Sequence, residues 1–379
     1  MKKIFIISGE ASGDKIGALL IEQLKKYSKE EIIFAGIGGE KMALAGIKSL
    51  FDIKNINLMG FFEILPHIFK LKRLIKYTEE EIIKFSPDIL ITIDSPGFCF
   101  RVASNVKNFV KAKLVHVVAP SVWAYKPERA KKFAKIYDFL LTLLPFEPQY
   151  FLKEGLDAKF VGHFAFEQKI CEDGGLFRNK YNIDQEKKLV CLTPGSRVGE
   201  IKRHMPIFAE TIKILSRKLD ANFVFIAANI EAKKIITQYV NKAGLTNALV
   251  VDEDRFEAYK ASSLAIAKSG TNSLEIALHN TPQIVAYKMN FLSWRYIKSV
   301  ALIKYATLVN IIADKEIIPE FLQEKCEPEI LASNVIKLLG NNQLVKEQLD
   351  ETSKIIKSLQ SKEGKASEIA AKEILKIIK

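Results

Sequence analysis

Four consecutive apolar residues, Ile4-Phe5-Ile6-Ile7, run straight into the turn Ser8-Gly9-Glu10-Ala11-Ser12-Gly13-Asp14, and apolar residues then recur at helical spacing from Ile16 to Leu24. The apolar run reads as a short buried strand and the spacing after it as a helix, so the chain opens on the first half of a βα unit. In open α/β sheets ligands settle beyond the carboxyl ends of the strands, which aims this turn at a binding cleft. The turn carries neither G-x-G-x-x-G nor Gly-Lys-Ser/Thr, and its acids, Glu10 and Asp14, would repel a phosphate. Small residues let a ligand approach the backbone, and carboxylates accept hydrogen bonds from sugar hydroxyls. Ser12, Gly13 and Asp14 are therefore candidates for a polyol-facing surface. A helix-capping role for Asp14 is equally open.

At 379 residues, two domains are expected. The net charge of +13 points to an anionic partner (nucleic acid, an acidic membrane face or a phosphorylated substrate), although a general lysine bias gives the same number. Cys99, Cys171, Cys191 and Cys326 contain no C-x-x-C pair, which argues against a structural zinc or a disulfide framework and fits a reducing cytoplasm. No segment approaches the roughly 18 uncharged apolar residues of a membrane span, so a soluble or peripheral protein is expected.

The strand–turn–helix rhythm recurs along the chain. A second strand over 32–37 ends at Gly38-Gly39. Leu58-Met59-Gly60-Phe61-Phe62 is followed closely by Lys70, Lys72, Arg73 and Lys76. That is either an apolar lip beside a cationic helix, suited to a membrane interface, or an ordinary core helix with a solvated face. The strand ending at Ile93 delivers Asp94 to its carboxyl end, ahead of Ser95-Pro96-Gly97. Asp94 is the first candidate for a general base that takes a proton from a hydroxyl; the alternative is a hydrogen bond to its own turn. The strand Leu114–Val118 leads into Ala119-Pro120-Ser121-Val122-Trp123, where Ser121 and Trp123 are candidates to line the cleft. Residues 166–187, with Gly174-Gly175 and mixed charge, are expected to be a linker.

The second half repeats the theme with different chemistry. Pro194-Gly195-Ser196-Arg197 offers backbone N–H groups, a hydroxyl and a guanidinium to a phosphate, or else Arg197 pairs with Glu200 on the surface. The strand Leu264–Ser269 turns at Gly270-Thr271-Asn272-Ser273 into a helix containing Glu275. This acid-free turn is the better phosphate site. Glu275 sits where it can meet ribose hydroxyls, or where it completes a capping box with Asn272. Asp252-Glu253-Asp254 mimics a D-x-D metal motif but reads as a solvated loop.

In order along the chain, Ser8–Asp14, the Asp94 loop, Pro120-Ser121-Val122-Trp123-Ala124, Phe160–His163, Pro194–Arg197, Ser269–Glu275, Tyr287-Lys288-Met289, Leu308–Ile311 and Glu324–Pro328 resemble motifs of the lipid-A-disaccharide synthase family, from residue 4 to about residue 328. Gly97 stands where many relatives have a second Asp, and Thr193 and Val309 also depart from the pattern. The resemblance implies an α/β fold of the GT-B kind: two Rossmann-like, doubly wound domains facing a central cleft. It implies an N-terminal acceptor and catalytic domain (1–165), a C-terminal UDP-sugar donor domain (188–345), and helices over 346–379 that pack back on the first domain or swap to a partner subunit.

It further implies transfer of 2,3-diacylglucosamine from UDP to the 6-hydroxyl of 2,3-diacylglucosamine 1-phosphate. Asp94 would be catalytic, and Gly195, Ser196, Arg197, Ser269, Gly270, Thr271, Glu275 and Asn310 would bind the donor. Met59, Phe61 and Phe62 would touch the anionic inner membrane from its cytoplasmic face. No metal, cofactor or nucleic acid is expected, and a homodimer is left open. A UDP-N-acetylglucosamine epimerase is the rival on the same fold. A basic nucleic-acid-binding protein is the non-enzymatic rival, disfavoured because the cations are spread over many helices.

Overall fold

The computed structural model describes residues 1–56, 67–168 and 170–378, with residues 11, 271 and 292 described through their backbone alone. These residues form two α/β units, Met1–Glu167 with Leu359–Lys379, and Gln168–Ser358.

The first unit contains β1 (Lys2–Ser8), β2 (Ile32–Ile37), β3 (Ile89–Ile93), β4 (Lys113–Val117), β5 (Phe139–Thr142) and β6 (Ala158–Phe160). All pair in parallel, in the order β2-β1-β3-β4-β5-β6. Both faces of such a sheet are covered by helices, which is why its strands read as unbroken apolar runs. Ile4 and Ile6 share a core with Leu20 and Leu24 of the helix Ala11–Tyr27 and with Ile369 and Ile374 of the last helix, Ala366–Ile377. Phe5 and Ile7 serve the opposite face, with Leu71, Ile75 and Ile82 of the helix Ile68–Phe85. The chain steps outward from β1 to β2, then returns to the far side of β1 for β3. The strand order therefore reverses between β1 and β3, and a crevice opens beyond their carboxyl ends.

The second unit repeats the plan. Strands β7 (Lys188–Thr193), β8 (Ala221–Ile226), β9 (Ala248–Val251), β10 (Leu264–Ala267), β11 (Gln283–Tyr287) and β12 (Glu320–Leu322) lie in the order β12-β11-β10-β7-β8-β9. Here the reversal falls between β7 and β10. Val190, Leu192, Phe223 and Phe225 pack on one face with Met205, Phe208 and Ile212. Cys191, Val224 and Ala265 pack on the other with Phe177, Tyr259 and Ile276.

Two expected boundaries move. The passage from one unit to the other, between Glu167 and Gln168, falls inside the expected linker 166–187, but most of that stretch packs in the second unit. Glu167 Oε1 accepts the Ser367 N–H at 2.7 Å in the first unit. From Gln168 onward the chain belongs to the second unit, whose helix Gly175–Lys180 buries Phe177. The Arg178 guanidinium donates to the carbonyls of Ala261, Asp184 and Lys187, so one of the charges that suggested a linker is tied to three backbone carbonyls on two segments. Residues 346–358 likewise stay in the second unit. There Gln348 takes the Gln283 N–H at 2.7 Å and returns its amide to the Gln283 carbonyl at 3.0 Å. The return to the first unit begins at Leu359.

Candidate functional site

In the first unit the parallel register sets Ser8 and Val117 on either side of Ile93, so the residues that follow all three emerge at one edge. Asp94 arrives with φ +51°, Ser95 with +45° and Val118 with +75°, three side-chain-bearing residues in the left-handed region. Each such residue costs roughly 1–2 kcal/mol, and strain of this kind gathers at functional sites. It is held by backbone bonds: the Asp94 N–H donates to Val117 O and the Val118 N–H to Leu141 O, both at 3.0 Å. The Ser95 N–H donates to Asp94 Oδ1 at 2.8 Å. A Cβ on Gly9 would lie 2.4 Å from Ser95 Cβ, so the Gly9-Glu10 turn and the Asp94-Ser95 loop are in contact. Half-buried Asp94 thus stands at the switch point, one oxygen engaged by its own turn.

The remaining first-unit candidates sort by what their side chains do. Ser12 is exposed and Gly13 is buried, where a Cβ would strike Ser8 Oγ at 2.7 Å. Asp14 does not present its carboxylate as a free ligand surface. Its Oδ1 accepts the N–H groups of Gly39 (2.7 Å) and Met42 (3.0 Å), and its Oδ2 that of Lys41 (3.0 Å). It caps the helix Glu40–Leu44, an element well away in sequence. Ser121 and Trp123 are half-buried. The Trp123 indole stands edge-on to Phe146, 5.4 Å between centroids, and donates to Glu147 Oε1 at 3.1 Å.

Sequence reasoning passed over Glu147. It is 4% exposed, and its Oε2 also takes the N–H groups of Leu143 and Leu144. Burial pushes its carboxyl up to about 7, against the opposing pull of the Trp123, Leu144 and Leu143 donors. The signal was an acid two residues after Pro145 at a strand end, which has no local pattern.

In the second unit, Thr193 at the end of β7 pairs with Ala267 at the end of β10, which brings together two turns some seventy residues apart in sequence. Gly195 (φ +126°) and Gly270 (φ +147°) make those turns, and each leads directly into a helix, Val198–Ser216 and Thr271–Leu278. The Ser269 hydroxyl donates to Ala306 O, and the Asn272 amide reaches Thr193 Oγ1. Arg197 Nη1 lies 3.5 Å from Glu200 Oε1, so the ion pair anticipated as an alternative is formed, at the mouth of the turn. Lys268 Nζ lies 3.0 Å from the same oxygen. Burial raises the Glu200 carboxyl, but the Lys268 charge and hydrogen bond, then Arg197 and the Ser196 N–H, bring it below the usual range.

Glu275, 7% exposed, does not complete a capping box with Asn272; the N-cap is Gly270, two residues earlier, and Glu275 Oε1 faces Arg255 Nη2 at 3.2 Å. For Thr271 the side chain lies outside the described residues.

Asn310 turns its side chain into its own segment. It is fully buried, its amide donating to Ile318 O and Glu320 Oε1 and its oxygen accepting the N–H groups of Ile317 and Ile318. All of its side-chain bonding capacity folds the 308–320 segment. Met59, Phe61 and Phe62 lie outside the described residues. The adjoining helix Ile68–Phe85 buries Leu71, Ile75 and Ile82 and leaves Lys70, Lys72, Arg73 and Lys76 exposed. Among the described residues no helix is long and apolar enough to cross a membrane. Asp252 and Asp254 are paired with Lys233 and Lys180.

A family model described as Lipid-A-disaccharide synthetase matches residues 4–374. A lipid-A-disaccharide synthase of Rickettsia bellii is 48% identical over 363 residues, 95% of this chain and 94% of that one. Among solved structures, UDP-GlcNAc 2-epimerase from Neisseria meningitidis bound to UDP-GlcNAc superposes with a TM-score of 0.66 at 15% identity, covering 99% of this chain and 100% of that one. A glycosyltransferase from Rickettsia africae superposes with 0.58 at 14%, covering 100% and 97%. At such identities the structural likeness speaks for the fold alone, two Rossmann-like α/β units. The match along nearly the whole sequence decides the family: this chain belongs to the lipid-A-disaccharide synthetases.

Proposed function

We propose that this protein is the glycosyltransferase that joins two diacylated glucosamines in lipid A synthesis. It moves 2,3-diacylglucosamine from its UDP derivative to the 6-hydroxyl of 2,3-diacylglucosamine 1-phosphate, giving the β-1,6-linked disaccharide 1-phosphate and UDP. The observation that carries this reading is the family match over residues 4–374. The two strand-end clusters divide the chemistry between them.

In the mechanism we infer, Asp94 takes the proton of the acceptor hydroxyl as its oxygen attacks the anomeric carbon from the face opposite UDP. The bond from that carbon to the β-phosphate oxygen breaks, and its electron pair leaves with UDP. Arg197 and the backbone N–H groups at Gly195, Ser196, Ser269, Gly270 and Thr271 hold the diphosphate, with charge in place before it develops. Glu275 meets the ribose hydroxyls. Trp123, with Ser121, Ser12 and Gly13, borders the acceptor. The exposed cations of 70–76 and the apolar residues 59–62 set the enzyme on the cytoplasmic face of the inner membrane, where acylated substrates lie.

The test is direct. The purified protein, given UDP-2,3-diacylglucosamine and the acceptor in mixed micelles, yields UDP and the tetraacyl disaccharide 1-phosphate by mass spectrometry. No disaccharide, together with turnover of UDP-N-acetylglucosamine to its 2-epimer, would replace this reading with the epimerase one.

A further inference from the structure

One cation at the donor turn has no task in the scheme above. Lys268 directly follows β10, at the point where the second sheet reverses its strand order. Its ammonium lies 3.6 Å from where a Cβ on Gly270 would stand, so it borders the turn that feeds the helix Thr271–Leu278. On its other side it meets Glu200, and Glu200 in turn crowds the first glycine turn: a Cβ on Gly195 would strike Glu200 Oε2 at 2.7 Å. The same carboxylate takes the Ser196 N–H at 3.3 Å and faces Arg197 at 3.5 Å. Both small-residue turns are thereby tied to one carboxylate flanked by two cations.

A purely structural reading fits this poorly. The Lys268 and Glu200 side chains are 17% and 9% exposed, and a pair so withdrawn from water gains little over well-packed apolar residues. One cation would neutralise Glu200. The second leaves a surplus positive charge among these three side chains, beside two sets of backbone N–H groups. An anion that engages both turns would meet that surplus, and a nucleoside diphosphate is an anion with phosphates to place at each.

We propose that Lys268 is a second diphosphate-binding cation, sharing the UDP phosphates with Arg197, and that Glu200 is a positioning residue that holds both cations at the turns when no donor is bound. The inference rests on the reading of the second unit as the donor site. As the anomeric carbon–oxygen bond breaks, the electron pair passes to the β-phosphate oxygen, so the ammonium is worth more to the leaving diphosphate than to the intact donor.

The experiment compares E200Q with the double variant E200Q/K268M, a pair in which no buried carboxylate is stranded when the lysine is removed. UDP binding is measured by calorimetry and uridine binding by competition, at two salt concentrations. Removing Lys268 is expected to weaken UDP about ten- to a hundredfold, the range of one hydrogen bond to a charged group, while uridine is unaffected and the salt dependence of UDP binding becomes shallower. K268R is expected to recover part of the loss that K268M causes in the otherwise unchanged chain. Equal UDP affinity in E200Q and E200Q/K268M would overturn the proposal. So would a parallel loss of UDP and uridine, which would make Lys268 a support of the site's shape. A wild-type protein that binds no UDP would remove the donor-site reading itself, and this inference with it.

Discussion

Asp94 and Glu147 are two carboxylates at the same sheet edge with opposite surroundings. Asp94 is half-buried on a strained loop with one oxygen held by its own turn. Its replacement by Asn preserves shape and removes basicity. D94N is expected to lower kcat by about 10²–10⁴-fold with little change in UDP affinity, measured by release of UDP from saturating donor. Turnover near wild type would take Asp94 out of the base role.

Glu147 is buried, and its proton is held more tightly in the folded chain than in the unfolded one. Its contribution to stability is therefore complete below the unfolded value near 4.5 and is lost as pH rises through about 7. A shift of that size corresponds to at most roughly 3–4 kcal/mol. In urea titrations, wild type is expected to lose stability between pH 5 and pH 8 relative to E147Q. Parallel pH profiles would show that Glu147 is already ionised in the fold.

Single elements depend on side chains that reach across the unit rather than along the helix. The helix Glu40–Leu44 is one and a half turns long and has no side-chain cap of its own; Asp14 supplies one from the first helix with three hydrogen bonds. D14A leaves those three N–H groups without their acceptor. It is expected to destabilise the first unit by about 1–3 kcal/mol, read as a lower melting temperature for that unit and an unchanged one for the second. If residues 59–62 meet the membrane as proposed, M59S/F61S/F62S is expected to release the protein from vesicles containing anionic lipid, and the neighbouring cations make residual binding sensitive to salt. Sedimentation with vesicles that matches wild type would count against membrane contact by these residues. The helix Phe291–Val300 has no buried residue among its described side chains, with Phe291 64% exposed, and is the natural next place to look.

At the scale of the molecule, the chain leaves the first unit at Glu167 and returns at Leu359. The last helix then lies against the first, with Ile369, Ala370, Ala371 and Ile374 in the same core as Leu20, Ile21 and Leu24. Tyr27 Oη donates to Glu368 at 2.8 Å, and Lys159 pairs with Glu373 at 3.1 Å. A buried Ile side chain is worth about 1.5–3 kcal/mol, so losing Ile369 and Ile374 alone takes away an amount comparable to the lower end of a domain's usual margin. Truncation after Ser358 is expected to abolish the calorimetric transition of the first unit and leave that of the second. Two intact transitions would mean that the helix is dispensable.

Local chemistry was enough to recognise the alternation of strand, small-residue turn and helix, the acid at the end of β3, and the glycine turns with their arginine. A strand's apolar run and a turn's residue types are set by the few residues next to them, and the family motifs are local for the same reason. That the Arg197 and Gly270 turns belong together came from the family resemblance, not from local chemistry. The juxtaposition of Gly9 with Ser95, and of Arg197 with Lys268, follows from strand order, a consequence of how the whole sheet winds. So do the backbone partners of Asp14, for which cap and ligand were equally open, and of Asn310: a carboxylate or amide looks the same in sequence whether its hydrogen bonds go to a substrate or to peptide groups. Packing alone chooses between them, by bringing buried N–H and C=O groups within reach that must find a partner.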